Sequence, residues 1–271
     1  MFDFKGRVEG IFSNFAEAYD DIWEKRMPVY TELLIRDLQI PENPTVLDVG
    51  CGTGLSTFTL IKRVQGKGKF YGIDISEKMI NLAMAKAVDL GYSNVEFRGG
   101  DAEQLDFPES SFDLIVSNQT FLWLPNKQKA LNEMFRALKP MGQAALLFFG
   151  EQTAREEEEI YNKIRNRHPE HALPESSART LLIGLEETHE LFDRAGFKKT
   201  RIYGIHEIGY RDPSKYYASI AAGVADFWRI NMPPELVDMV AKEISEEMTK
   251  AKTDKGFKTT IYNIIAYAQK T

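Results

Sequence analysis

The stretch Val46-Leu-Asp-Val-Gly50-Cys-Gly52-Thr-Gly54 decides the fold. Thr45–Val49 is a short apolar run that feeds a turn in which every second residue is glycine, and a helix follows. Glycine has no Cβ and takes positive φ, so such a turn lets backbone approach a ligand at the carboxyl end of a strand. A dinucleotide fingerprint would read G-x-G-x-x-G. Here the third glycine comes one residue early, at Gly54, and Leu55 takes the sixth position. Asp48, two residues ahead of Gly50, is also foreign to that fingerprint.

Outward from this stretch, strand, loop and helix repeat. Lys69–Ile75 reads as a second strand, Ser76 as the N-cap of the next helix and Gly91 as its end. Asn94–Arg98 and Phe112–Ser117 read as the third and fourth strands. Asn126 caps a helix whose Leu131, Met134, Phe135 and Leu138 recur at i, i+3, i+4 and i+7. Pro140-Met-Gly142 is a turn into a fifth strand, Gln143–Phe149. Nearly continuous apolar strands belong to a parallel sheet covered by helices on both faces.

Beyond Gly150 the rhythm breaks. Residues 151–185 carry the Glu156–Glu159 run, read as a solvated helix face, with Pro169 and Pro174. A helix (Glu186–Ala195) and a strand at about 199–209 restore regularity. Residues 211–256 include an amphipathic helix with Leu236, Val240, Ile244 and Met248, and Thr259–Ala268 is a last strand. The last two strands are expected to pair antiparallel at the sheet edge. Residues 8–38 read as helices, with Pro28 at a first helical position. The expected fold is α/β: a doubly wound, mostly parallel, seven-stranded sheet with an antiparallel last strand, plus a helical cap. Residues 41–150, 186–210 and 257–271 form the sheet domain; 1–40, 151–185 and 211–256 form the cap, a substrate wall in such folds.

The chain has 271 residues, and 34 basic against 40 acidic residues give a net charge of −6. That balance lacks the basic footprint of a nucleic-acid binder and suits anionic membrane surfaces poorly. Cys51 is the single cysteine, so neither an internal disulfide nor a cysteine-based zinc site is available, and a reducing compartment fits. The longest apolar run, Ala144–Phe149, is far short of the ~20 residues of a membrane span. The first ten residues lack a secretory pattern, and a cytoplasmic location is expected.

The D-x-G-x-G-x-G spacing from Asp48 to Gly54 resembles the first motif of the Rossmann-like, class I S-adenosylmethionine (SAM) methyltransferases. The resemblance extends over about residues 45–150. It implies that Asp48, Gly50, Gly52 and Gly54 form the cofactor loop and that Asp74 takes the ribose hydroxyls. It further implies that Ile75 and Met79 pack on the adenine, with Asp101 and Ala102 at its edge. Asn118 and Gln119 would stand beside the sulfonium. Leu138-Lys-Pro140-Met-Gly142 matches the turn before strand five, with Met141 where the family has glycine. Taken singly, Asp74 reads equally as a capping acid, Asp101 as a turn residue and Met79 as core; their order along the chain carries the resemblance.

Phe12-Ser-Asn-Phe15-Ala16-Glu-Ala-Tyr19-Asp20 is similar to the entry helix of the ubiquinone/menaquinone-type and malonyl-carrier-protein-type branches. Tyr19 then closes over cofactor or substrate; alternatively it belongs to an aromatic stripe between helices. Tyr19, Phe121 and Trp123 are the expected walls of the acceptor site. Tyr19 and His206 are the candidates for a catalytic group, with a structural histidine as the plainer reading of His206. His168-Pro-Glu-His171 reads as a surface turn and no metal site is expected. Asn118-Gln-Thr-Phe121 departs from the N/D-P-P-Y/F of enzymes that methylate adenine or amides in macromolecules. The implied reaction moves a methyl group from SAM, leaving S-adenosylhomocysteine (SAH), to a small-molecule or carrier-bound acceptor. A SAM-binding protein without turnover and a nicotinamide or flavin oxidoreductase are the alternatives.

Overall fold

The computed structural model describes residues 3–176, 181–221, 228–229 and 231–271. Two helices come first, α1 (Phe4–Trp23) and α2 (Met27–Ile35, with a proline in its first turn). β1 (Thr45–Val49) then runs into the glycine turn, and Gly54 caps α3 (Leu55–Arg63) at φ 84°. β2 (Lys69–Asp74) leads to α4 (Glu77–Asp89), whose first turn is closed by the Met79 amide donating to the Ser76 hydroxyl. β3 (Val95–Gly99), β4 (Phe112–Asn118), α5 (Lys127–Ala137, capped by Asn126) and β5 (Leu138–Phe149) follow. The remaining elements are α6 (Arg155–Arg167), α7 (Leu185–Arg194), β6 (Lys198–Arg211), α8 (Pro213–Ala221), α9 (Pro234–Ala251) and β7 (Phe257–Gln269).

The strands form one seven-stranded sheet in the order β3-β2-β1-β4-β5-β7-β6. The first five pair parallel, with Leu47 opposite Tyr71 on one side and Ile115 on the other. β7 runs antiparallel beside β5: the Met141 amide donates to the Lys270 carbonyl and the Lys270 amide to the Gly142 carbonyl. The expected fold class is therefore present. The inner strands are apolar because they are covered on both faces; Leu47, Ile115 and Ala144 through Phe148 are fully buried. From β1 the chain steps outward through β2 and β3, then returns to β1's other side with β4. That reversal opens a crevice at the carboxyl ends of β1 and β4.

The Pro140-Met-Gly142 turn persists, but inside β5. The ladder pairs Phe112 with Leu138 and Leu114 with Gln143, so residues 139–142 bulge out opposite Asp113, with Met141 at φ 64°.

The chain divides into two compact units. The first comprises Met1–Phe148, Gly184–Gly204 and Ile264–Thr271, so the N-terminal helices, assigned to a cap from the sequence, share a unit with the sheet. The second comprises Phe149–Ile183 and Ile205–Asn263. It has its own core, in which the predicted stripe Val240, Ile244 and Met248 packs with Ile160, Ile164 and the Tyr161 ring stacked on Trp228. Residues 177–180, 222–227 and 230 of the expected cap lie outside the described residues.

Candidate active site

The glycine turn is folded back on β2. The amides of Gly50 and Cys51 both donate to the Ile73 carbonyl, at 2.8 and 2.9 Å. Gly50 has φ 73°, and a Cβ there would lie 2.1 Å from Thr120 Oγ1. Glycine is required at this position both for the left-handed backbone and for the close approach. Beneath the turn, buried Asp48 accepts the Thr57 hydroxyl at 2.6 Å through Oδ2, while its Oδ1 has no partner among the described residues. Burial pushes the Asp48 carboxyl up to about 7, against the lowering effect of the Thr57 bond. Asp48 thus ties α3 to β1 from below and does not line the cleft.

Asp74 does line it. Its Oδ2 accepts the Gly52 amide and its Oδ1 the Ser76 amide, both at 2.9 Å. Burial raises its pKa and these backbone bonds oppose the rise. Each oxygen keeps a further lone pair, so a clamped, two-pronged acceptor stands at the mouth of the glycine turn.

Around these groups lies a cleft of about 750 Å³, its open mouth included. Asp74, Ile75, Met79, Asp101 and Ala102 line one part; Gly50, Gly52, Asn118, Gln119, Thr120 and Trp123 line another. Gln119 leaves β4 at φ 58° while its amide donates to the Leu147 carbonyl at 2.7 Å. A non-glycine residue in that conformation costs about 1–2 kcal/mol, and here it turns the chain out of the sheet beside the cleft. Asn118 is buried, and its amide nitrogen donates to the hydroxyls of Thr31 (3.2 Å) and Ser56 (3.1 Å).

Helix α1 supplies a third wall through Lys5, Val8, Phe12 and Tyr19. The offsets of three, four and seven residues place them on one helical face. Asp20 accepts the Thr53 hydroxyl at 2.6 Å and pairs with Lys86, fixing α1 to the glycine turn. Phe12 meets Trp123 edge-on at 5.6 Å, and Tyr19 stands 5.4 Å from the Phe15 ring. Burial, with the carboxylates of Asp74, Asp20 and Asp48 nearby, pushes the Tyr19 phenol far above its ordinary pKa. At neutral pH that phenol holds its proton.

One expected wall residue stands elsewhere. Phe121 is fully buried, its ring 5.0 Å from Phe148. The 3-10 turn Phe121–Trp123 explains this, because successive side chains point about 120° apart: Trp123 reaches the cleft and Phe121 the core. His206 belongs to the second unit, where it is exposed on β6 with its ring 4.4 Å from Tyr262. In the histidine turn, His168, Glu170 and His171 bring ligand-type atoms within 4.8 Å of one another, and His168 Nε2 lies 2.6 Å from Glu243. His168 is half-buried, and Glu170 and His171 are exposed. Sequence reasoning also missed Lys5, which stands 2.7 Å from both Asp101 and Glu103. The helical spacing of Lys5 with Val8, Phe12 and Tyr19 was the available signal.

A family model for the methyltransferase domain matches residues 40–202, which contain every strand that builds the crevice. The chain belongs to the methyltransferase domain family. A demethylmenaquinone methyltransferase of Geobacillus stearothermophilus is 30% identical over 207 residues, 70% of this chain and 88% of that protein. The biotin biosynthesis bifunctional protein BioHC of Teredinibacter turnerae is 34% identical over 156 residues, 55% of this chain but 27% of that longer protein. The crystal structure of a SAM-dependent methyltransferase from Aquifex aeolicus shares the fold, with a TM-score of 0.57 at 20% identity over 100% of both chains. The protein is a SAM-dependent methyltransferase. The residues at the cleft fit SAM: a fixed pair of acceptors suits ribose hydroxyls, the apolar Ile75 and Met79 suit the faces of a base, and glycines stand where backbone must come close.

Proposed function

We propose that this cleft is the SAM site and that the methyl group passes to a small-molecule or carrier-bound acceptor. The observation that carries the reading is Asp74, clamped by the Gly52 and Ser76 amides with both oxygens held at the cleft. In this reading Asp74 accepts both ribose hydroxyls, and Ile75 and Met79 hold the adenine between them. Asp101 and the Ala102 amide meet its edge. Gly50 and Gly52 admit the methionine portion, with Asn118 and Gln119 near the sulfonium. Asp48 and Gly54 act indirectly, by shaping the turn.

Bound there, SAM supplies a methyl group already activated for in-line displacement. The work left to the protein is to orient the acceptor and exclude water, and orientation of that kind is worth roughly 7–11 kcal/mol. Phe12, Tyr19 and Trp123 suit a flat, apolar acceptor, and the Tyr19 phenol donates a hydrogen bond to it. The Geobacillus relative, by its name, acts on demethylmenaquinone, which accords with such a wall. The net charge of −6 argues against nucleic acid as acceptor. No helix among the described residues is long and apolar enough to cross a membrane, and we assign the protein to the cytoplasm.

A thermal-shift panel with SAM, SAH, NAD, NADP and FAD tests the cofactor site. Ligand at ~100 times its dissociation constant stabilises by about 2.7 kcal/mol, several degrees for a chain this long. A shift with SAM and SAH alone is expected; a shift with NAD or FAD and none with SAM refutes the reading. Transfer of labelled methyl from SAM to a reduced quinone, against a carrier-bound carboxylate, then separates the acceptor classes.

A further inference from the structure

We propose that Lys5 is a positioning residue that clasps α1 onto the adenine end of the cleft, so that the carboxylate set to meet the adenine amino group is held in place from α1. This rests on the cleft being the SAM site. The Lys5 ammonium lies 2.7 Å from Asp101 Oδ2 and 2.7 Å from Glu103 Oε2. Glu103 is 5% exposed, and its other oxygen accepts the Asn126 amide at 2.7 Å. One buried carboxylate therefore joins α1, the loop after β3 and the segment that carries Trp123 to the start of α5. At the other end of α1 stands the second clasp, Asp20 with Thr53 and Lys86. Val8, Phe12 and Tyr19 face the cleft between the two clasps.

The chemistry of the first clasp makes it responsive. Burial alone would raise the Asp101 pKa, but the Lys5 ammonium and the Glu103 amide hold it below the ordinary range. Asp101 is thus a fixed, ionised acceptor, with Oδ1 held by the Glu103 amide at 2.9 Å and Oδ2 by Lys5. An adenine amino group docking on Asp101 meets an oxygen whose position α1 sets. Removing Lys5 leaves buried Glu103 without its cation, which penalises the closed arrangement of all three walls.

Titration calorimetry with SAH and hydrogen exchange over α1 test this on the wild type, Lys5→Met and Lys5→Arg. Lys5→Met should weaken SAH about tenfold and abolish the SAH-induced protection of the α1 amides. It should also lose preference for SAH over S-inosylhomocysteine, which carries oxygen in place of the adenine amino group. Lys5→Arg should restore most of all three. If Lys5→Met binds SAH as the wild type does, or weakens it while keeping the preference and the protection, the clasp is overturned. A wild type that binds no SAH overturns the SAM reading and the clasp with it; failure of Lys5→Met alone leaves the SAM reading standing.

Discussion

Replacing Asp74 by alanine probes the one carboxylate on which the site turns. In the free protein the change removes two backbone hydrogen bonds, from Gly52 and Ser76, each 2.9 Å long. In the complex it also removes the acceptor for two ribose hydroxyls. Hydrogen bonds to a charged group contribute about 1.5–3 kcal/mol each, so the pair is worth about 3 kcal/mol at the low end. Burial raises the Asp74 pKa, so holding that charge costs free energy before any ligand arrives. One such bond at the low end, about 1.5 kcal/mol, is already a roughly tenfold rise in the SAH dissociation constant; the full pair gives about a hundredfold. The expected result is therefore at least a tenfold loss in titration calorimetry with SAH, which does not turn over. Asp74→Asn, which keeps the shape and one carbonyl acceptor, should fall between. An Asp74→Ala protein that melts cooperatively and binds SAH within about twofold of the wild type would refute the reasoning.

Asp48 should make stability fall with pH. Burial holds its carboxyl at about 7 in the fold against an ordinary value of 3.8, so the folded state binds the proton more tightly. The stabilisation is complete below about pH 4 and is lost as pH rises through 7, at most about 4 kcal/mol. Asp48→Asn should gain on the wild type across that window in urea melts; parallel curves would show that Asp48 is ionised throughout. Tyr19→Phe should lower turnover roughly two- to tenfold, the worth of one neutral hydrogen bond, with an unaltered pH profile because the phenol keeps its proton at neutral pH, whereas Tyr19→Ala should weaken SAH by opening the wall. Loss of the basic limb of the profile in Tyr19→Phe would reverse that assignment. Phe121→Ala should cost about 3–5 kcal/mol of stability as a core cavity and leave the SAH affinity of the folded protein unchanged. A selective loss of binding would return Phe121 to the cleft.

The parts legible in sequence are those written in local pattern. Apolar runs, caps at Ser76 and Asn126 and the glycines of the turn act within a few residues of one another. The succession of strands and helices along the chain, the glycine loop and the acids at the ends of β2 and β3 could therefore be read from the chain. The turn at Pro140 was equally visible, but its place within β5 was not, because a bulge is defined by the partner strand. Phe121 and Trp123 look alike in sequence; one 3-10 turn separates core from cleft. Lys5 and Glu103 are 98 residues apart, and no local rule links them. The sequence by itself determined a doubly wound sheet with a ligand crevice at its switch point. The tertiary structure alone decided which charges meet there, because an ion pair forms where folding brings its partners within hydrogen-bond reach, whatever their separation along the chain.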